Sequence, residues 1–271
     1  MSRPDLPGIL ADLDAEHAAL DGIVAPLSPA RWDTATPAEP WTVRDQVAHL
    51  AFFDREAVRA MTDPEGFVAG LAEIVADPDG WMAATLEPAR TLSTEDLLAD
   101  WRAGRDALIA AATTLDPAAR VPWYGPPMGM LSFLSARLME TWIHGQDVAD
   151  ALHAERVPTA RLRHIAHIAV RARPFNYAQH GRELPPTEVR VELRAPDAST
   201  WTWGPETTPD TVTGDALDFC LVTTQRRHIA DTDLRVEGDR AQEWMGIAQA
   251  FAGPPGPGRQ KGQYPKRIDK S

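Results

Sequence analysis

Along the first 155 positions, apolar residues recur at helical spacing. Ile9, Leu10, Leu13, Leu20, Ile23, Val24 and Leu27 fall close to a 3.6-residue period over 6–27, and Pro26 and Pro29 close the segment. A loop with Pro37 and Pro40 leads to Thr42, which reads as an N-cap. Asp45 stands at N3, as in a capping box with Asp in place of Glu. Val43, Val47, Leu50, Ala51 and Val58 supply the buried stripe of the helix that follows. A shorter, weaker helix is predicted over 65–75. Leu97, Leu98, Trp101, Leu108 and Ile109 give a face to a helix over 94–115, which Asp116-Pro117 stops. The stretch 121–129 carries Pro122, Pro126 and Pro127 and reads as a loop. A long helix follows over 131–152. Four long helices with short connections predict an N-terminal four-helix bundle over 1–155.

The period then changes. Residues 159–177 still read as helix, but 187–194 (Thr-Glu-Val-Arg-Val-Glu-Leu-Arg) alternates strictly, as a half-buried strand does. A turn at Ala195-Pro196-Asp197 leads to a returning strand over 200–204, and 211–213 reads as a third. Helices are predicted after Gly214-Asp215 and over 240–251, with a short extended piece at 234–236. The whole predicts an α+β chain: the bundle, a small α+β domain over 156–252, and a disordered basic tail over 253–271.

Charge sharpens this division. The 271 residues carry a formal charge of -12. Before Gly253 there are 22 basic and 38 acidic residues, a net -16, whereas the tail has 5 basic and 1 acidic. A body that acidic is a poor partner for nucleic acid or an anionic membrane. No run of eighteen apolar residues exists to span a bilayer. The single cysteine, Cys220, excludes an internal disulfide framework, and it lies in an apolar helical turn as a structural thiol does. No signal peptide opens the sequence, so a cytoplasmic protein is expected, as a monomer or small homo-oligomer.

Among eight histidines, His144 is singled out by Glu140 four residues earlier. Residues at i and i+4 share a helix face, so a carboxylate and an imidazole can converge on one ion. His49, in the middle of the second long helix, is the candidate third ligand. His₂Glu sets bind catalytic zinc and leave a position open. Spacing alone does not decide the matter: 8 His and 15 Glu give about 0.4 such pairs by chance. The alternative is a surface Glu–His pair with an unrelated core histidine. His17, His153, His164, His167, His180 and His228 lie in no recognisable pattern. Asp147, three residues after His144, and Asp45, four before His49, are candidates to orient a ligand imidazole. Trp123 and Tyr124, in the loop before the fourth helix, are candidates to line the mouth of a cofactor pocket.

The segment Glu39-Pro40-Trp41-Thr42-Val43-Arg44-Asp45-Gln46-Val47-Ala48-His49-Leu50 resembles the second-helix motif of the DinB-like, mycothiol-dependent maleylpyruvate isomerase superfamily. Glu140-Thr141-Trp142-Ile143-His144-Gly145-Gln146-Asp147 resembles its later-helix motif. The resemblance implies a divalent metal, usually zinc, on His49, Glu140 and His144, and mycothiol as thiol cosubstrate. It implies a second domain related in shape to sterol-carrier-like folds, matched by 211–217 and 234–239. An arginine follows the helix between those pieces in the family, after a Gly. Here the ending is Gln225-Arg226-Arg227, which makes Arg226 or Arg227 the candidate that holds an anionic group of thiol or substrate. The implied activity is a transferase or isomerase that activates a small thiol against an electrophilic small molecule. Two other readings remain open at this point: a hydrolase using metal-bound water, and a non-catalytic module binding a metal or an apolar ligand.

Overall fold

The structure, a computed structural model, describes residues 5–76 and 78–264 and divides into two units between Arg156 and Val157. The first unit holds α1 (Leu6–Val24), α2 (Pro29–Trp32), α3 (Val43–Thr62), α4 (Pro64–Ala76), α5 (Pro78–Arg90) and α6 (Thr94–Thr114). A ribbon of β1 (Arg120–Trp123) and β2 (Gly125–Gly129) leads into α7 (Met130–Leu152). Helices α1, α3, α6 and α7 are the four long ones, with α3 packed on both α6 and α7 and α1 on α7. Their apolar stripes meet in one core that includes Leu20, Val47, Leu50, Leu97, Trp101 and Val148. None of the helices among the described residues is long and apolar enough to cross a membrane.

Two features of this unit depart from the sequence reading. The Pro-rich stretch before α7 is a hairpin rather than a loop. It pairs Arg120 with Gly129 and Val121 with Met128, and its ladder slips beside Pro122, which has no N–H to give. A separate helix, α5, follows α4, and its Leu86 and Ala89 join the core. Its pattern is masked in the sequence by Pro78 and by Pro88 inside the helix.

The second unit is mixed. Helices α8 (Leu162–Arg171) and α9 (Arg173–Gln179) precede β3 (Arg190–Arg194), β4 (Thr200–Trp203) and β5 (Thr211–Asp215). Then come α10 (Ala216–Thr223), a 3₁₀ turn at Ile229–Asp231, β6 (Arg235–Glu237) and α11 (Asp239–Met245). The sheet order is β4-β3-β5-β6, with β3 and β5 parallel and the outer pairs antiparallel. Val191, Leu193, Trp201 and Val212 form its buried face. The single helix expected over 159–177 is broken because Pro174 cannot donate to the Val170 carbonyl. The last helix stops at Met245 rather than reaching 251. Beyond it the Gln249 carbonyl accepts from Asn176 Nδ2 (2.7 Å), and the Ala250 N–H donates to the Thr223 carbonyl (2.8 Å).

The expected tail divides as well. Residues 265–271 lie outside the described residues, but 253–264 are held by specific contacts. The Gly253 carbonyl accepts from Gln179 and Gln249, and the Gly262 N–H donates to the Asp231 carboxylate at 2.8 Å. Gly256 and Gly258 lie against the Gln225 side chain, where a Cβ would stand 3.4 Å and 3.6 Å from it. Gln225 itself has φ 60°. Its N–H bonds to Val222 and that of Arg226 to Leu221, the two bonds of a Schellman ending whose left-handed residue is usually glycine.

The start of α3 follows the sequence closely. Thr42 Oγ1 accepts from the Asp45 N–H (3.3 Å), and Asp45 Oδ2 accepts from the Thr42 N–H (2.9 Å). Arg90 Nε donates to the other oxygen, Oδ1, at 2.9 Å. Burial pushes the Asp45 carboxyl up, but the Thr42 and Arg90 bonds outweigh it and hold the group below its ordinary 3.8. That stabilisation is complete above the ordinary value and disappears as pH falls through the lowered folded one. In chemical denaturation, Asp45→Ala should therefore cost about 1 kcal/mol at pH 7, with the difference from wild type shrinking toward pH 2. A constant difference across that range would contradict the assignment.

Candidate metal centre

Helical spacing and one long-range packing contact build the site. On α3, Gln46, His49 and Phe53 share a face; on α7, Glu140 and His144 do. Where the two helices pack, the His49 and His144 rings come to 4.4 Å between centroids. One donor atom from each of His49, Glu140 and His144 lies within 4.8 Å of the other two. His144 Nε2 is 3.4 Å from Glu140 Oε2. His49 and His144 are 8% and 7% exposed, whereas a quarter of the Glu140 side chain reaches solvent. Burial, with His144 and Arg137 nearby, pushes His49 well below 6.5, so its ring is neutral at pH 7 as a ligand must be. Its Nδ1 is buried without a hydrogen-bond partner. The donor set, the short mutual distances and this orphaned nitrogen all fit a divalent cation.

A directional hydrogen-bond chain fixes the tautomer of His144. The Thr36 hydroxyl donates to the Trp41 carbonyl (2.7 Å) and accepts from Gln46 Nε2 (2.9 Å). Gln46 Oε1 is thereby turned to His144 Nδ1, 2.5 Å away. An amide oxygen only accepts, so Nδ1 carries the proton and the Nε2 lone pair is left toward Glu140. Gln46 and Thr36 are buried, so neither loses these bonds to water. Trp41 stacks on the His144 ring at 5.8 Å and lies 4.9 Å from that of His49, while Phe53 lies 4.5 Å from His49.

The other sequence candidates are placed differently. The Asp45 carboxylate is taken up by Thr42 and Arg90 at the helix start, and Asp147 is fully buried on α7. Gln46, which the sequence reading passed over, bonds to the ring of the candidate ligand His144. Its signal was a polar side chain three residues before His49 on the buried stripe of Val43 and Val47. Trp123 and Tyr124 belong to an aromatic cluster that reaches the site through Phe53, 5.5 Å from Tyr124. Trp123 stacks on Phe67, and the Tyr124 hydroxyl donates to Glu56 (3.2 Å). In the second unit, Arg226 donates to the Thr224 carbonyl (2.8 Å) and lies over Phe251, and Arg227 lies over Tyr264. Arg226 directly follows the left-handed Gln225, the position that glycine precedes in the family pattern.

Replacing Gln46 by Leu should weaken affinity for added Zn²⁺ by about tenfold or more, as loss of a ligand-orienting partner commonly does. Gln46→Glu, which still accepts from Nδ1–H, should retain most of it. Competition titration against a chelator measures both, and equal affinity in wild type and Gln46→Leu would refute the role.

Comparison with known proteins identifies the family. The model of the mycothiol maleylpyruvate isomerase N-terminal domain matches residues 13–149, half of the chain, a span within which the three candidate ligands fall. A model described as wyosine base formation matches residues 185–236, the region of the sheet and α10. Two uncharacterized proteins of Mycobacterium tuberculosis are 44% identical over 254 residues, covering 93% of this chain and 99% of theirs. The crystal structure of the mycothiol-dependent maleylpyruvate isomerase shares the fold, with a TM-score of 0.57 at 15% identity over 84% of this chain and 93% of that one. A histidine-to-alanine mutant structure of that name gives a TM-score of 0.56 at 14% identity over the same shares. The half-chain match and the nearly full-length relatives show that the chain belongs to the mycothiol maleylpyruvate isomerase N-terminal domain family.

Proposed function

We propose that this protein is a zinc-dependent enzyme that activates a small thiol, mycothiol, for attack on an electrophilic small molecule. The observation that carries the reading is the convergence of His49, Glu140 and His144 within 4.8 Å, on the two helices matched by the family model. These three residues would hold the metal. When bound, a divalent cation supplies the positive charge that favours thiolate over thiol, whose free pKa is about 8.5.

The chain's own residues do the rest. Gln46 keeps the proton on His144 Nδ1, so the imidazole offers the other nitrogen. Trp41 and Phe53 cover the two imidazole rings and limit water, which strengthens the electrostatics of the site. Glu140 is the most exposed of the three and marks the side open to an incoming ligand. Arg226, with Arg227 as its neighbour, is proposed to hold an anionic group of thiol or substrate. Addition of the thiolate to an electrophilic carbon–carbon double bond would break its π bond and form a C–S bond, and a proton taken up at the neighbouring carbon would give a thioether conjugate; if the thiolate is instead expelled and the double bond re-forms after rotation, the product is an isomer of the substrate.

Metal analysis of purified wild type and Glu140→Ala provides the test. Wild type should carry about one equivalent and the variant little, since a site with three protein ligands holds its metal weakly once one is removed. In Co²⁺-loaded protein, adding mycothiol should change the visible spectrum as sulfur enters the coordination sphere. Equal metal in both proteins would sink the site. A Co²⁺ spectrum indifferent to thiol would sink the thiol chemistry.

A further inference from the structure

Below the candidate ligands, the core of the first unit holds a second polar group. Asp54 on α3 is 0% exposed and Arg137 on α7 is 3% exposed. Arg137 Nη2 donates to Asp54 Oδ1 at 2.9 Å. His17, on α1, is also fully buried, with Nε2 3.8 Å from Asp54 Oδ2, beyond hydrogen-bond reach. Both His17 nitrogens, Asp54 Oδ2 and Arg137 Nε lack a hydrogen-bond partner.

Stability is a poor reason for such a group. Taking two charges out of water often costs more than their attraction returns, and well-packed apolar replacements of buried pairs are frequently neutral or stabilising. Here the unsatisfied atoms deepen that cost. The position is more informative. Asp54 comes five residues after His49, about 7.5 Å further along α3. Arg137 comes three before Glu140, about 4.5 Å along α7. The pair therefore joins the same two helices that carry the three donors. On the other side of the donors, Gln46 and His144 join them again. The Thr141 hydroxyl also bonds back to the Arg137 carbonyl at 3.1 Å, next to Glu140. Apolar side chains on two helices can slide past one another at small cost, whereas a guanidinium–carboxylate bond has a fixed length and direction.

We propose that Asp54 and Arg137 are positioning residues, whose buried ion pair sets the register of α3 against α7 and so holds His49 within reach of Glu140 and His144. The inference rests on the metal site proposed above. It separates two quantities that a purely structural ion pair would move together: stability of the fold and affinity for metal.

The experiment measures both, using Zn²⁺ with a competing chelator and thermal melting by circular dichroism. The double variant Asp54→Leu/Arg137→Met should melt at or above the wild-type temperature before metal is added, yet bind Zn²⁺ about tenfold or more weakly. Arg137→Lys, which keeps the charge but loses the planar fork, should remain folded and lose part of the affinity. Zn²⁺ affinity in both variants equal to wild type would overturn the inference while leaving the metal site standing. A double variant that unfolds, together with Arg137→Lys at wild-type affinity, would make the pair a stability element and overturn it too. Absence of Zn²⁺ binding in the wild type would overturn the proposed site and this inference with it.

Discussion

The packing of α3 against α7 is the contact on which the candidate site depends. His49 is carried by one helix and Glu140 and His144 by the other, so no local signal can bring the three together. Helix geometry secures the Glu140–His144 pair for the modest requirement of one continuous helix. The third donor is a tertiary product. It needs the axial position and rotation of α3 to be correct to within the tolerance of a metal–ligand bond, a few tenths of an ångström. Apolar stripes bring helices together but fix such details weakly, because many packings of similar density lie close in energy. Polar contacts with direction are the natural means of choosing one of them, and Gln46–His144 supplies such a contact in the seam itself.

Backbone chemistry then anchors the choice at the helix start. The capping box of Thr42 and Asp45 fixes where α3 begins, and hence which residues face α7. The residue before the cap, Trp41, has its carbonyl held by the Thr36 backbone and hydroxyl, and its ring is laid over the two imidazoles. One short segment therefore ends a loop, starts a helix, covers the rings and orients Gln46. Replacement of any one of these residues would be felt at the others, since hydrogen bonds join them.

The sequence disclosed the parts of this arrangement that obey a period or a local rule. The long helices, the cap at Thr42, the alternating strand β3 and the Glu140–His144 spacing all rest on interactions between residues a few positions apart. What it concealed were elements whose stabilising contacts are distant. The hairpin of β1 and β2 tolerates Pro122 because a two-stranded ribbon has free edges, so its prolines looked like a loop. Helix α5 is interrupted by Pro88, and its place is secured by Leu86 in a core built from other helices. Gln46 stood out only as a polar residue on a buried stripe, and the ring it bonds to lies 98 positions away. Of the two carboxylates expected beside the rings, Asp45 serves the helix start, and the amide of Gln46 bonds to the His144 ring.

The end of α10 shows how one residue can tie two regions together. Gln225 occupies a left-handed conformation, which costs a side chain roughly 1 kcal/mol that glycine would avoid. The same side chain forms the surface against which Gly256 and Gly258 lie. Backbone ease at the helix end and support for the C-terminal segment are therefore in competition at a single position. A glycine at this position would relax the turn before Arg226 and at the same time take away one of the contacts against which the segment after Ala252 lies.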